Sequence, residues 1–529
     1  MRTKVLPAEK NPALLRATAA LLGLGTLLLY CTYSYLQWIH YVTPSWDLGI
    51  FSQLAKAYAN LQEPIVPIKG EGYNLLGDHF HPLTLLLGPV YALFPSPLSL
   101  LYLQNGLIAL ATYLLVRWAQ RVLHPLLAAS LGAAYALSFG VQEAVAVQFH
   151  EVAFSQPLLM MSLGYLVLAP GHPEPARLIR RSVYWAAPLV FVKEDMGMSV
   201  ALLGLLALFR TGWPQQALDL LFPRRGQPLA SWKERGRALV RSWLGSPAVA
   251  ESSLLILWGL AWSLLAVGVI LPFFNSAGVF DYSDKLNIPA LLADPLGSFS
   301  QLFYPWQKSL TLLLLLITGA LAWLASPLAL LVLPTLLWRF LSPQEGYWEP
   351  TWHYNLVLMP LVFMALLDSL ARLQKSPRKS LKLAPSLPAL SLGPIKQKLS
   401  WALPALALLT GLILTPNLPL ADLANPAFAS FQENSEDREK AQALQALPSG
   451  SSVAADLSLL TYLVPDHQVY WIGYSGQPAP DYVLIDLEGS AWGGRPPESA
   501  VAYAQGRYGQ AQYSFFKRIG SIEIAVRTD

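Results

Sequence analysis

Ala17 to Gln37 reads ATAALLGLGTLLLYCTYSYLQ, a run without Asp, Glu, Lys, Arg or His. At about 1.5 Å per helical residue it is long enough to cross a hydrocarbon core of about 30 Å. Arg2, Lys4, Lys10 and Arg16 precede it, and Trp38, His40 and Tyr41 follow it. The basic start resembles a signal peptide only superficially, because no small-residue cleavage site follows the run. It reads as a first transmembrane helix ending in an aromatic belt.

The rest of the chain agrees. Of 529 residues, 54% are apolar and 13% are charged. A soluble domain carries about 25% charged residues. This composition excludes a single water-soluble globule, a disordered chain and a disulfide scaffold, and points to a polytopic membrane protein. Cys31 is the one cysteine, so neither an intrachain disulfide nor a cysteine-based zinc site is available.

Further spans are expected at 97–116, 124–140, 152–169, 182–192, 196–210, 252–273, 309–325, 327–341, 355–371 and 400–416, about eleven helices in all. Several are shorter than a full crossing requires. The stretch 81–95 is apolar but interrupted by Pro82, Gly88 and Pro95, and reads as a re-entrant or interfacial piece. With the N-terminus cytoplasmic, the inner segments are 1–16, 117–123, 170–181, 210–251 and 372–399, and they hold most of the 36 Lys and Arg. The outer loops before the tail carry more acids than bases. This asymmetry fixes the expected orientation. Lys375, Arg378, Lys379, Lys382, Lys396 and Lys398 lie among Ser and Pro in 372–399, a solvated inner linker.

The expected division is a transmembrane domain over 1–416 and a small soluble α/β domain over 417–529, which an odd number of crossings puts outside. Helices are expected near Asp437–Leu447 and Glu498–Tyr508, strands near Val469–Gly473 and Asp481–Leu487, and a closing hairpin over Tyr513–Arg527 with its turn at Gly520.

Unusual polar residues gather on the outer side, where ionisable groups against apolar spans are candidates for function. Trp46-Asp47-Leu48-Gly49-Ile50-Phe51 follows the first span. Asp47 opens a run in which Ile50, Phe51, Leu54 and Tyr58 share a face, so it is either the cap of an interfacial helix or a chemical group. Gly77-Asp78-His79-Phe80-His81-Pro82 lies in the same loop. A carboxylate with two imidazoles suits a divalent metal or a phosphate-stabilising site, and also an ordinary surface turn. His150 and Glu151 abut the fourth span. Lys193-Glu194-Asp195 sits between two apolar runs, as a solvated hairpin tip or as a phosphate and hydroxyl contact. Glu349-Pro350-Thr351-Trp352-His353-Tyr354 lies in a loop rich in aromatics, a membrane belt or the rim of a sugar- or lipid-binding site. There is no P-loop, no G-x-S-x-G, no H-E-x-x-H and no CxxC. The basic residues occupy short inner loops, which speaks against nucleic acid as a partner.

The order WDLGIF, GDHFHP, FHE, VKED and WHY resembles that of an uncharacterised bacterial family of multi-spanning proteins, a domain of unknown function. The resemblance covers about 15–370 and the DYVLIDL stretch. That family is placed with the GT-C glycosyltransferases, which take sugars from polyprenyl-phosphate donors at the outer face of a membrane. The resemblance implies a GT-C-like fold in a bacterial inner membrane, with Asp47 as the catalytic acid of the first outer loop. It implies that His79, His81, His150 and Glu151 line the site and that Lys193 meets the donor phosphate. Asp78, Glu194, Asp195 and His353 complete the candidate substrate contacts. Many GT-C enzymes carry a paired acidic motif where this chain has Asp47-Leu48, so a divalent metal stays an open expectation.

The leading reading is therefore a glycosyltransferase that uses a lipid-linked sugar and an acceptor at the outer face. The alternative is a non-enzymatic transporter or scaffold subunit, with the tail docking a protein partner. Convergence of Asp47, His79, His81, His150 and Lys193 on one outer pocket favours the enzyme, and scattered positions favour the scaffold.

Overall fold

The computed structural model describes residues 12–222, 231–281, 293–375, 380–381, 390–474, 476–489 and 492–529. Arg2, Lys4 and Lys10 and the linker residues Arg378, Lys379 and Lys382 lie outside the described residues. The described chain is mostly helical, with a small sheet near its C-terminus.

Six helices are long and apolar enough to cross a membrane: Pro12–Ile39, Pro97–Ala119, Pro125–Val147, Glu151–Leu168, Pro247–Phe274 and Pro394–Asn417. Two bent pairs raise the number to eight if each counts as one span: Met196–Arg210 with Trp213–Leu221, bent by 70°, and Glu345–Asn355 with Leu358–Lys375, bent by 67°. The other expected spans take different forms. The stretch 182–192 is the end of an amphipathic helix, Pro175–Ala186, carrying Arg177, Arg180 and Arg181, followed by a tight turn over Ala187–Phe191. The stretch 309–325 breaks after Trp306–Thr318, where Ala320 and Leu321 take positive φ. A helix of that length reaches about 20 Å, short of the core thickness. Pro327–Leu341 and Pro82–Leu93 are likewise short apolar helices.

The sheet has five strands in the order Gln468–Trp471, Ser452–Ala455, Tyr482–Asp486, Ile522–Arg527, Tyr513–Ile519. The first three are mutually parallel and the last two close it as an antiparallel hairpin. Gly520 takes φ +56° in the hairpin turn, where a side chain would be strained. Helices Ser435–Gln445 and Ala500–Arg507 complete the unit. The interior strand Ser452–Ala455 has no counterpart among the sequence expectations. Three of its four residues are buried, so it lacks the alternation that marks a half-exposed strand.

The tail packs onto the helices through one continuous hydrophobic core that holds Leu48 and Leu54 together with Leu460, Val469 and Ile524. Trp38 stacks near Tyr462, and Trp46 meets Trp471 edge-on. Gln53 Nε2 donates to the carbonyl of Val469 at 2.8 Å, and Lys56 Nζ donates to those of Val464 and Pro465 at 2.7 and 2.9 Å. His40 and Tyr33 reach Asp437 and Asp422 at 2.7 and 2.8 Å. Trp46–Ala59 is thereby enclosed rather than lying along the membrane surface, with Leu48, Leu54 and Ala55 fully buried. Each such buried Leu contributes about 2 kcal/mol, and the tail supplies the second wall that makes this burial possible.

Candidate functional site

The Trp46–Ala59 helix begins at Ser45, whose side chain makes no cap hydrogen bond, and Asp47 lies in its first turn. Asp47 is therefore not the cap. Its carboxylate turns outward to Gln148 and His150. Gln148 Nε2 donates to Asp47 Oδ2 at 2.7 Å, while Gln148 Oε1 accepts from the Leu48 backbone N–H at 2.8 Å. One carboxamide thus fixes both the carboxylate and the helix start. The positive end of the helix dipole also favours the charge there.

From Asp47 a chain of alternating charge runs inward. His150 Nε2 stands 3.2 Å from Asp47 Oδ2, and His150 Nδ1 stands 3.5 Å from Glu151 Oε2. Glu151 Oε1 stands 2.8 Å from Lys193 Nζ. Next to Lys193, Glu194 Oε1 stands 2.8 Å from His79 Nδ1, and its Oε2 accepts from the Phe80 backbone N–H at 3.0 Å. Asp195 Oδ2 accepts from Trp338 Nε1 at 3.1 Å, and Lys69 pairs with Asp78 at 2.5 Å. The His353 ring stacks on that of His150, with centroids 3.2 Å apart and planes inclined by 17°.

Both stacked imidazoles sit beside strained backbone. Gln148 has φ +151° and ψ −171°, and Trp352 has φ +71° and ψ +174°. This region belongs essentially to glycine and costs about 1–3 kcal/mol for other residues. Arg339 braces the second strained loop by donating to the carbonyls of Tyr347 and Tyr354 and to Asn355 Oδ1.

These groups surround one cavity of about 400 Å³. Asp47, Asp78, His79, His81, His150, Glu151, Lys193, Glu194, Asp195 and His353 all line it. The structure brings every candidate named from the sequence to one place, although they come from five separate stretches of the chain. It adds Gln148 behind Asp47, and Lys69, Trp338, Tyr347 and Tyr354 on the wall. Tyr354 directly follows His353, Gln148 lies two residues before His150, and Lys69 shares the loop of Asp78. Trp338 sits in an apolar run and carries no sequence signal. Ile50, Phe51, Met198, Val267 and Phe280 give the cavity an apolar side.

Burial and charge set the protonation states. Burial pushes His79 down and Lys193 adds to that, but Glu194 and Asp78 outweigh both and leave the ring above its usual value. Burial lowers His150 as well, and Asp47 and Glu151 more than restore it. His81 goes the other way, and burial takes it down to about 4, so its ring is neutral. Lys193 is held well above its usual value, because Glu151, Glu194 and Asp195 outweigh its burial. Burial, with Glu194 beside it, pushes Asp195 up to about 6. Burial raises Glu194, yet His79 and Lys193 hold it below the ordinary range.

Among the described residues no group of three or more His, Cys, Asp or Glu is arranged to hold a metal ion. The Asp78-His79-His81 cluster shows why. Its members turn to Lys69, Glu194 and Thr84 in that order rather than to a common centre.

Among curated proteins none matches the sequence. Similar solved structures include the archaeal oligosaccharyltransferase AglB from Archaeoglobus fulgidus, in complex with an inhibitory peptide and a dolichol-phosphate. It is 12% identical, with TM-score 0.38, over 94% of this chain and 74% of that one. ArnT from Cupriavidus metallidurans, bound to undecaprenyl phosphate, is 12% identical, with TM-score 0.44, over 96% of this chain and 97% of the other. Residues 40–515 match the family model described as predicted membrane protein (DUF2079), and the chain belongs to that family.

Proposed function

We propose that this protein is a GT-C-type membrane glycosyltransferase that moves a sugar from a lipid-phosphate donor to an acceptor at the outer face of the membrane. One observation carries the reading: Asp47, with its side chain 29% exposed, is held by Gln148 and His150 at the edge of a cavity that also presents Lys193 and an apolar wall. Those are the elements the transfer needs. The acceptor oxygen attacks the anomeric carbon, and the proton of its hydroxyl passes to Asp47. The bond from that carbon to the phosphate oxygen breaks, and the electron pair leaves with the lipid phosphate, whose charge Lys193 and the His79 imidazolium offset. Asp78, His81, Glu151, Glu194, Asp195 and His353 contact or position the sugar. The apolar wall suits a lipid.

In this reading residues 1–416 form the membrane domain and 417–529 the soluble domain, with the N-terminus cytoplasmic, the tail outside and the short apolar helices completing eleven crossings. The tail docks on the helix that carries Asp47, which supports placing both on one side. A C-terminal reporter that works only in the cytoplasm is expected to be silent, and activity there overturns this orientation.

The decisive test is consumption of polyprenyl-phosphate-linked sugars by purified protein, wild type against Asp47→Asn. Turnover by the wild type that falls about 10²–10⁴-fold in the variant is expected. A fully active variant removes Asp47 from the chemistry. A wild type that binds lipid-linked sugars without turnover returns the protein to the transporter or scaffold class.

A further inference from the structure

A second feature lies at the other end of two helices that reach this cavity. The helices Met196–Arg210 and Pro247–Leu265 both touch the cavity at one end, through Met198 and Ser263. Their other ends are joined by a hairpin of two amphipathic helices, Trp213–Leu221 and Trp232–Leu244. Pro247–Phe274 is long enough to cross a membrane; it leaves the hairpin at its start and reaches the cavity through Ser263 and Val267 toward its end, which puts the hairpin toward the opposite face.

The hairpin is pinned along one side. Trp213 Nε1 donates to Ser242 Oγ at 3.0 Å, and Trp243 Nε1 donates to Ser253 Oγ at 3.0 Å. Arg235 donates to the Leu221 carbonyl at 2.9 Å, and Ser231 with Glu234 closes a capping box. The other side of Trp232–Leu244 packs against nothing among the described residues, and no residue of this helix is buried. Val240 is 56% exposed and Leu244 64%. At 3.6 residues per turn Arg237 and Arg241 lie one turn apart on that side, as do Val240 and Leu244. The four, with Gly236 and Gly245, line a shallow groove of about 690 Å³. Neither arginine has an ion-pair partner among the described residues.

Two guanidinium groups one turn apart match the oxygens of a phosphate. Two aliphatic side chains beside them match an acyl chain, and the glycines leave room for it. A free anion has no use for Val240 and Leu244. An acidic phospholipid uses both halves, and amphipathic helices of this composition lie in such surfaces. We propose that the Trp232–Leu244 helix binds acidic phospholipid in the leaflet opposite the cavity, with Arg237 and Arg241 on the headgroup phosphate and Val240 and Leu244 among the acyl chains. The inference is independent of the glycosyltransferase reading.

The full-length protein, reconstituted in nanodiscs of phosphatidylcholine alone or of an equal mixture with phosphatidylglycerol, tests this by amide hydrogen exchange. Exchange over Trp232–Leu244 is expected to slow about tenfold in the mixed membrane, and this difference is expected to vanish in Arg237→Gln/Arg241→Gln. Both arginines project from the unpacked side, so the double variant is expected to keep the hairpin's internal bonds. Equal exchange in the two membranes overturns the proposal. So does the same slowing produced by inorganic phosphate over phosphatidylcholine, which makes the groove a soluble-anion site. As a measurement independent of exchange, phosphatidylglycerol retained on the wild-type protein after extraction is expected to exceed that on the double variant, and equal retention also overturns it.

Discussion

Two clusters of buried charge occupy opposite ends of the helical scaffold, and they are built on different rules. At the end away from the cavity, Asp368 accepts from Arg210 at 2.8 Å through one oxygen, and from Arg372 at 2.8 Å and Ser326 at 2.7 Å through the other. Its carboxylate is fully engaged, and the cluster ties two helices and a turn together. Around the cavity, by contrast, His81 Nε2 and His353 Nδ1 are buried without hydrogen-bond partners, and Asp47 stays partly open to solvent. Burying charge costs several kcal/mol in either place. The Asp368 cluster recovers that cost as cohesion. The cavity cluster leaves hydrogen-bonding capacity unused beside an open volume, and this unused capacity, rather than burial of charge as such, marks a site for a ligand.

The comparison is broken most directly by neutralising one carboxylate at each end. Asp47→Asn is expected to lower lipid-linked sugar turnover about 10²–10⁴-fold while thermal unfolding in detergent stays near that of the wild type. Asp368→Ala is expected to do the reverse. Arg210, whose side chain is only 11% exposed, loses its counter-charge, and removing one partner of such a pair costs about 3–5 kcal/mol. Arg372 is 44% exposed and contributes little to that loss. Turnover per folded molecule is expected to hold. A variant of Asp368 that folds normally but is inactive would erase the distinction between the clusters.

A finer test uses strain. Gln148 pairs a carboxamide that orients Asp47 with a backbone that only glycine tolerates. Gln148→Ala removes the first and keeps the second, whereas Gln148→Gly removes both. The glycine variant is expected to be more stable than the alanine variant by about 1–3 kcal/mol, measured by denaturant titration, with turnover equally reduced in both. Equal stabilities would mean that the loop relaxes freely and stores no strain.

How much of this was legible in the sequence follows from the same contrast. The cavity cluster was visible because its members interrupt apolar runs: His150-Glu151 and Lys193-Glu194-Asp195 sit where hydropathy predicts a crossing to end. Asp368 and Arg210 were not visible as a pair, because each is a single charge inside or at the end of an apolar helix, and their sequence separation conceals the contact. The tail's closing hairpin was readable from Gly520 and its flanking strands, while the buried strand Ser452–Ala455 was too short and too uniformly apolar to show a period. Six to eight helices among the described residues are long enough to span, and the other expected crossings fall on shorter or bent apolar pieces. Hydropathy registers apolar content but not the breaks at Gly319–Leu321 or the bends after Arg210 and Asn355. Enclosure of Trp46–Ala59 was hidden as well, since the tail residues that cover it lie some four hundred positions away.

The smallest expected effect concerns how the tail is held at the cavity end. His40 Nδ1 lies 2.7 Å from Asp437 Oδ2 and its Nε2 lies 2.9 Å from the Ser430 carbonyl. Both partners are acceptors, so the arrangement is best satisfied when both ring nitrogens carry protons. Burial pushes His40 down, but Asp437 and the Ser430 carbonyl outweigh it and leave the ring above its usual value. A folded-state value above the unfolded one of about 6.5 means that the contact's contribution is complete below that pH and is lost as pH rises through the folded value. Docking of Ser435–Gln445 is therefore expected to loosen on going from a pH below about 6.5 to one well above it, read as faster amide exchange after correction for the intrinsic pH dependence. The helix that carries Asp368 is expected to show no such change over the same range. His40→Gln keeps a hydrogen bond but cannot charge, so it is expected to show the loosened exchange at both pH values. If the wild-type tail exchanges equally at both, the docking rests on Trp38, Gln53 and Lys56 alone, and His40 adds no proton-dependent hold.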